Sequence, residues 1–159
     1  MRPATRGFSL IEILIVVIIM AIIAAIVLPQ YGGVTAQASQ SACRENLAKV
    51  RAQLQMYRNQ HQGFPSATDF VAQMIHNTDV SGDWADAPDT THKYGPYLER
   101  MPADSFTNSR AVRGVTGAAT RFSAPATSGG WWYNETTGEF RVDLVDTVID
   151  ENGTRCNQY

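Results

Sequence analysis

One run of residues limits what this chain can become. From Phe8 to Leu28 it reads FSLIEILIVVIIMAIIAAIVL, with Ser9 and Glu12 as the only polar side chains. Wound as an α-helix at about 1.5 Å per residue, this run extends roughly 31 Å, close to the roughly 30 Å hydrocarbon core of a bilayer. Fifteen of its residues are Phe, Leu, Ile or Val. At roughly 0.3–0.6 kcal/mol each they favour insertion by about 5–9 kcal/mol, more than the roughly 2.5–3.5 kcal/mol that one central carboxylate costs. The run therefore predicts one spanning helix despite Glu12. Ahead of it Met1-Arg2-Pro3-Ala4-Thr5-Arg6-Gly7 carries two arginines, which hold that end in the cytoplasm and send the rest of the chain across.

Composition matters because of what the run leaves behind. The chain has 159 residues, 44% hydrophobic and 18% charged, yet its mean hydropathy is −0.20, so the apolar content is concentrated at the N-terminus. The remainder fits one compact domain. With 13 Lys+Arg against 15 Asp+Glu the net charge is −2, and loss of residues 1–7 would leave 11 basic side chains against 15 acidic. No basic field exists to gather nucleic acid, and a polyanionic partner is disfavoured.

Three fates are open to the apolar segment. It can be a permanent anchor, which gives Glu12 no role. It can be a secretory signal with Ala36-Gln37-Ala38 as its cleavage site, although the run exceeds the usual 7–15 residues of such signals. The third fate follows from resemblance. Gly7-Phe8-Ser9-Leu10-Ile11-Glu12 leading into an unbroken apolar helix resembles the leader of type IV pilins and type II secretion pseudopilins. The resemblance implies that a prepilin peptidase cuts after Gly7 and N-methylates Phe8. It also implies that Glu12, fifth in the processed chain, sets subunit register, and that Pro29 is a helix-bending proline.

Physical chemistry bears on the same positions. A carboxylate in an apolar helix is costly unless paired. Cleavage would create an amine on Phe8, a cation poorly placed at the positive end of a helix dipole. Glu12 can neutralise that amine on a neighbouring subunit, or bond its own N-terminus. Pro29 removes an intrahelical hydrogen bond and Gly32-Gly33 lower helix propensity further, so a bend or local melting is expected there.

Beyond the glycines, Cys43, Leu47, Val50, Leu54 and Tyr57 recur at helical spacing, with Arg44, Arg51, Gln55 and Arg58 off the stripe. Gly63 and Pro65 stop this helix. The expected organisation is a leader at 1–7, a membrane or filament-core helix at 8–28, an amphipathic spine at 29–62 and an α+β head at 63–159. In the head, Ser66-Ala67-Thr68-Asp69 caps a short helix bearing Phe70, Val71, Met74 and Ile75. Residues 78–92 read as an exposed acidic loop, and residues 110–130 as a polar stretch holding at most one short strand near Phe122. Trp131-Trp132-Tyr133 and Phe140-Arg141-Val142-Asp143-Leu144 flank a turn and read as a hairpin, giving an antiparallel sheet laid on the stripe.

Tyr94-Gly95-Pro96-Tyr97-Leu98 followed by Met101-Pro102 and Asp104 is similar to a loop of the G-type pseudopilins, as is the aromatic hairpin with Gly138. This chain has Asp104-Ser105-Phe106-Thr107 where that group usually continues Asp-Pro-Trp-Gly. The resemblance implies self-assembly into a helical homopolymer, with an inner-membrane assembly platform and minor pseudopilins or pilins as further partners. It also implies a bacterial inner-membrane location with the head in the periplasm. Members of the group bind calcium near the C-terminus, which makes Asp143, Asp146 and Asp150 candidate ligands, with Glu151 and Asn152 beside them; the alternative is ordinary solvated acids on a strand and turn.

Cys43 and Cys156 would both be exported from the reducing cytosol and can pair, or Cys43 can be a buried thiol on the stripe. His61, His76 and His92 are scattered, no paired cysteine spacing suggests zinc, and no G-x-S-x-G, P-loop or dinucleotide fingerprint occurs. No catalytic activity is expected. The same parts also suit a type IV pilus subunit for adhesion, motility or DNA uptake. A monomeric binding module would instead use the tryptophan hairpin or the acidic loop.

Overall fold

A computed structural model describes residues 9–118, 122, 129–145, 149 and 153–158, without the side chains of 27–35 and 157. The chain forms two compact units, residues 1–37 and 38–159. Helix α1, Leu10–His61, supplies the described part of the first unit and the opening element of the second. It is helical through Pro29 and Gly32-Gly33, so the expected local melting is absent. Helical turns on both sides carry the lost bond cooperatively.

In the second unit the stripe behaves as its spacing predicts. Cys43, Leu47, Val50, Leu54 and Tyr57 are all buried, while Arg44, Glu45, Lys49 and Arg58 face water. They belong to the same hydrophobic cluster as Trp131, Tyr133, Phe140 and Val142. Side chains of α1 reach the head backbone. Arg51 donates through Nη2 and Nε to the Phe140 carbonyl at 2.8 and 3.1 Å, and Asn46 donates to the Ala103 carbonyl at 3.2 Å. The helix ends as Gln62 turns left-handed, at φ 58°.

The short helix α2, Phe70–Ile75, begins after Asp69, which makes no side-chain cap hydrogen bond to it. Its lead-in is knitted by side chains. Ser66 Oγ donates to Asp69 Oδ2 at 3.2 Å and accepts from the Asp69 N–H at 3.0 Å, while Gln73 Oε1 accepts from the Ser66 N–H at 2.8 Å. At the other end the N–H groups of Tyr97 and Leu98 both donate to the Met74 carbonyl. This docks the 94–98 loop on α2.

Two expectations about the strands need correction. The acidic segment contains a small hairpin, β1 (Asn77–Thr78) with β2 (Trp84–Ala85), paired antiparallel. Its turn is built by Asp79, whose Oδ1 accepts from the N–H groups of Ser81 and Asp83 at 2.8 and 2.9 Å, with Gly82 at φ 89°. An Asp-x-Ser-Gly turn of this kind was the readable signal. The main sheet, ordered β3-β4-β5, is mixed and not purely antiparallel. Strand β3 (Val112–Val115) runs parallel to β4 (Trp131–Asn134), which pairs antiparallel with β5 (Glu139–Val142). A parallel pair needs a crossover of a dozen or more residues, and the 116–130 connection provides that length. The strand expected near Phe122 lies ten residues earlier; the Phe122 ring instead stands edge-on to Trp132 at 5.6 Å.

The hairpin itself is as expected. Strand β5 alternates, burying Phe140 and Val142, and every residue of β4 is buried. The polar tips of the aromatics find partners, as buried Trp and Tyr require: Trp131 Nε1 donates to the Pro102 carbonyl and Tyr133 Oη to the Pro65 carbonyl. At the turn, Gly138 holds φ 72°, and a Cβ there would collide with the Phe64 ring. Only glycine fits that position without displacing Phe64.

Candidate functional site

The assembly candidates sit at the start of α1. Gly7 and Phe8 lie outside the described residues. Ser9 precedes the helix, and its carbonyl accepts from the N–H groups of Glu12 and Ile13 at 3.1 and 3.3 Å. Glu12 Oε2 in turn accepts from the Ser9 N–H at 3.3 Å. Ser9 and Glu12 thus form the glutamate half of a capping box, at the S-x-x-E spacing. Within one chain Glu12 bonds the backbone next to the Phe8 position, and that bond is exposed and long.

Behind it the helix is apolar on every side. The large hydrophobics from Leu10 to Ile26 are 46–85% exposed, so no other part of the described chain covers them. Among the described residues no helix is long and apolar enough to cross a membrane. The described side chains span Leu10 to Ile26, about 26 Å of helix, whereas the reading of a full span also takes in Phe8, Val27 and Leu28. Pro29 lies within α1 and its side-chain surroundings are outside the described residues. Ala36-Gln37-Ala38, the alternative cleavage site, also lies within the helix.

The head brings together residues that spacing alone does not connect. Asp104 is 1% exposed yet ionisable. Burial alone would push its carboxyl up, but hydrogen bonds from the Thr107 hydroxyl and from the Thr107, Gly130 and Phe106 N–H groups outweigh it and hold the carboxyl below its usual value. The Ser109 N–H adds another at 3.0 Å. Asp104 therefore fastens the 102–109 loop to the entry of β4 through Gly130 at 2.9 Å. The sequence showed Asp104 only as part of a loop resemblance.

Asp143, a candidate calcium ligand, is otherwise engaged. Its Oδ2 and Oδ1 accept from Arg113 Nε and Nη2 at 2.8 and 2.6 Å, and its carboxylate is 6% exposed. A bidentate guanidinium engages both oxygens and compensates the charge. Asp146, Asp150, Glu151 and Asn152 lie outside the described residues. Among the described residues no group of three or more His, Cys, Asp or Glu side chains is arranged to hold a metal.

The remaining polar clusters serve the fold. His61 accepts or donates at Nε2 with Tyr97 Oη (2.9 Å) and Thr78 Oγ1 (3.1 Å), and Tyr97 Oη donates to Gln60 Oε1 at 2.6 Å. Burial pushes the His61 imidazole down. An open cleft lined by Tyr57, Phe64, Ser66, Gln73, Ser81, Glu135 and Thr136 is mostly polar. Its groups are already bonded: Gln73 Nε2 to the Gly82 carbonyl, Glu135 Oε2 from the Ala67 N–H. Trp131 and Trp132 are fully buried, which removes them as a ligand surface; Trp84, 41% exposed, stacks on His76 at 5.1 Å. Cys43 and Cys156 stand as separate thiols, both fully buried in one core cluster.

Comparison with known proteins agrees with these parts. Residues 2–28 match the prokaryotic N-terminal methylation motif, and residues 30–123 match type II secretion system (T2SS), protein G. The type II secretion system core protein G of Pseudomonas aeruginosa is 30% identical over 107 residues, 67% of this chain and 72% of that protein. That of Klebsiella michiganensis is 26% identical over 108 residues, 66% and 70% respectively. The type IV narrow pilus major component PilA5 of Thermus thermophilus is 30% identical over 105 residues, covering 66% of this chain and 87% of that one. No solved structure matches significantly. A methylation leader, an exposed apolar helix and a match over residues 30–123, the spine and the first part of the head, place this chain in the protein G family of the type II secretion system.

Proposed function

We propose that this chain is the polymerising subunit of a type II secretion pseudopilus and acts by assembly, not catalysis. Prepilin peptidase would cut after Gly7 and methylate Phe8. The apolar helix would hold the chain in the bacterial inner membrane, N-terminus cytoplasmic and head periplasmic, until an assembly platform draws it into the filament. There the helices of successive subunits replace lipid around residues 10–26, and growth of the filament pushes cargo outward. Within each head the β3–β5 sheet lies on the stripe from Cys43 to Tyr57, which gives the subunit a fixed shape to stack. A pilus subunit would use the same helix; the match of residues 30–123 to protein G favours secretion.

The observation that carries this reading is the helix exposed on all sides with one carboxylate near its start. Such a surface demands lipid or other copies. The long intrachain bond from Ser9 N–H to Glu12 is weak enough to exchange for a charge-assisted bond to the Phe8 amine of a neighbour. Replacing Glu12 with Ala should leave the head folded and the chain in the membrane while abolishing filaments in a host that overproduces the system. Filaments of normal yield from E12A would refute the assembly role of Glu12.

A further inference from the structure

The two cysteines are about 113 residues apart in the sequence and meet in one core. Cys43 opens the buried stripe of α1, and Cys156 opens the terminal 3-10 helix, Cys156–Gln158. Both are 0% exposed. The tail is steered there by a short bridge between Ile149 and Arg155 and by packing of the 3-10 helix on β5. Within the tail, Gln158 N–H donates to the Arg155 carbonyl at 3.0 Å.

We propose that Cys43 and Cys156 form an intramolecular disulfide as the exported head folds, fastening the C-terminal tail to the spine helix. The proposal rests on the export reading, since the cytosol would keep both thiols reduced. The step is a thiol–disulfide exchange with an oxidised dithiol of the export compartment. One cysteine thiolate attacks the oxidant's S–S bond and expels one of its sulfurs. The second cysteine then attacks the mixed disulfide and expels the other. Two protein thiols lose two electrons and two protons, and the oxidant leaves as two thiols.

Proximity to Cys156 also leaves a mark on Cys43. Burial first, then the charges of Cys156 and Asp104, push the Cys43 thiol up to about 12. At neutral pH little of the reactive thiolate is then present, so the folded reduced head should oxidise slowly. The bond belongs to the folding step, before the core closes over the sulfurs.

The test uses the detergent-solubilised full chain, unfolded with dithiothreitol and refolded in a mixture of reduced and oxidised glutathione. Thiols are then counted by a maleimide mass tag under denaturing conditions. Expected are monomers that take no tag until reduced and two tags afterwards. The melting temperature should fall by roughly 10 °C on reduction, a fall absent from the C43A/C156A double variant. Two tags without reduction, or disulfide-linked dimers, would overturn the pairing. The same count on protein trapped in acid from the native host separates the two layers. If refolded protein forms the bond but cellular protein is reduced, the pairing stands and the export reading falls.

Discussion

At the residue scale, Asp104 shows how one buried carboxylate organises a loop. Its oxygens gather donors from Phe106, Thr107, Ser109 and Gly130, so the negative charge is compensated by converging dipoles in place of a cation. Because those bonds hold its pKa below the unfolded value, its contribution is complete above about pH 4. The contribution fades as pH falls through the lower, folded-state value. Asp104→Asn keeps the shape but loses the charge, and should cost about 2–3 kcal/mol at pH 7. In denaturant unfolding the gap between wild type and D104N should be widest at neutral pH and narrow below about pH 4; a gap independent of pH would mean the charge does not matter. Nothing in the sequence marks Asp104 as buried, because its donors come from residues two to twenty-six positions away.

At the scale of elements, legibility followed the length of the repeating signal. The stripe from Cys43 to Tyr57 repeats over four helical turns, and every member is buried as its spacing requires. The hairpin from Trp131 to Val142 was readable for the same reason: alternation in β5 and a glycine-ended turn. Strand β3, four residues with no alternation, was not; it forms because Gly114 lets the backbone approach Ala67 and because β4 offers an open edge. The Arg113–Asp143 pair, which ties β3 to the end of β5, was invisible once β3 was missed. A double-mutant cycle with Arg113→Ala and Asp143→Ala should return a coupling of about 1 kcal/mol, limited by the 40% exposure of the arginine. Additive single effects would show that the two side chains do not work as a pair.

At the scale of the molecule, two units divide the labour. The head buries its own core around the stripe and the aromatic strands. The N-terminal unit does the opposite, presenting isoleucine, leucine and valine on all sides of a helical segment with Glu12 in its first turn. That contrast was plain in the sequence because it rests on composition, not on long-range contacts. It is also what makes processing decisive: Glu12 has an amine to pair with in the filament only if the chain begins at Phe8. The mass of the N-terminal peptide of protein made in its native host tests this most directly. The account predicts a chain beginning with N-methylated Phe8; one beginning at Met1, or at Ser39 without its helix, would contradict it.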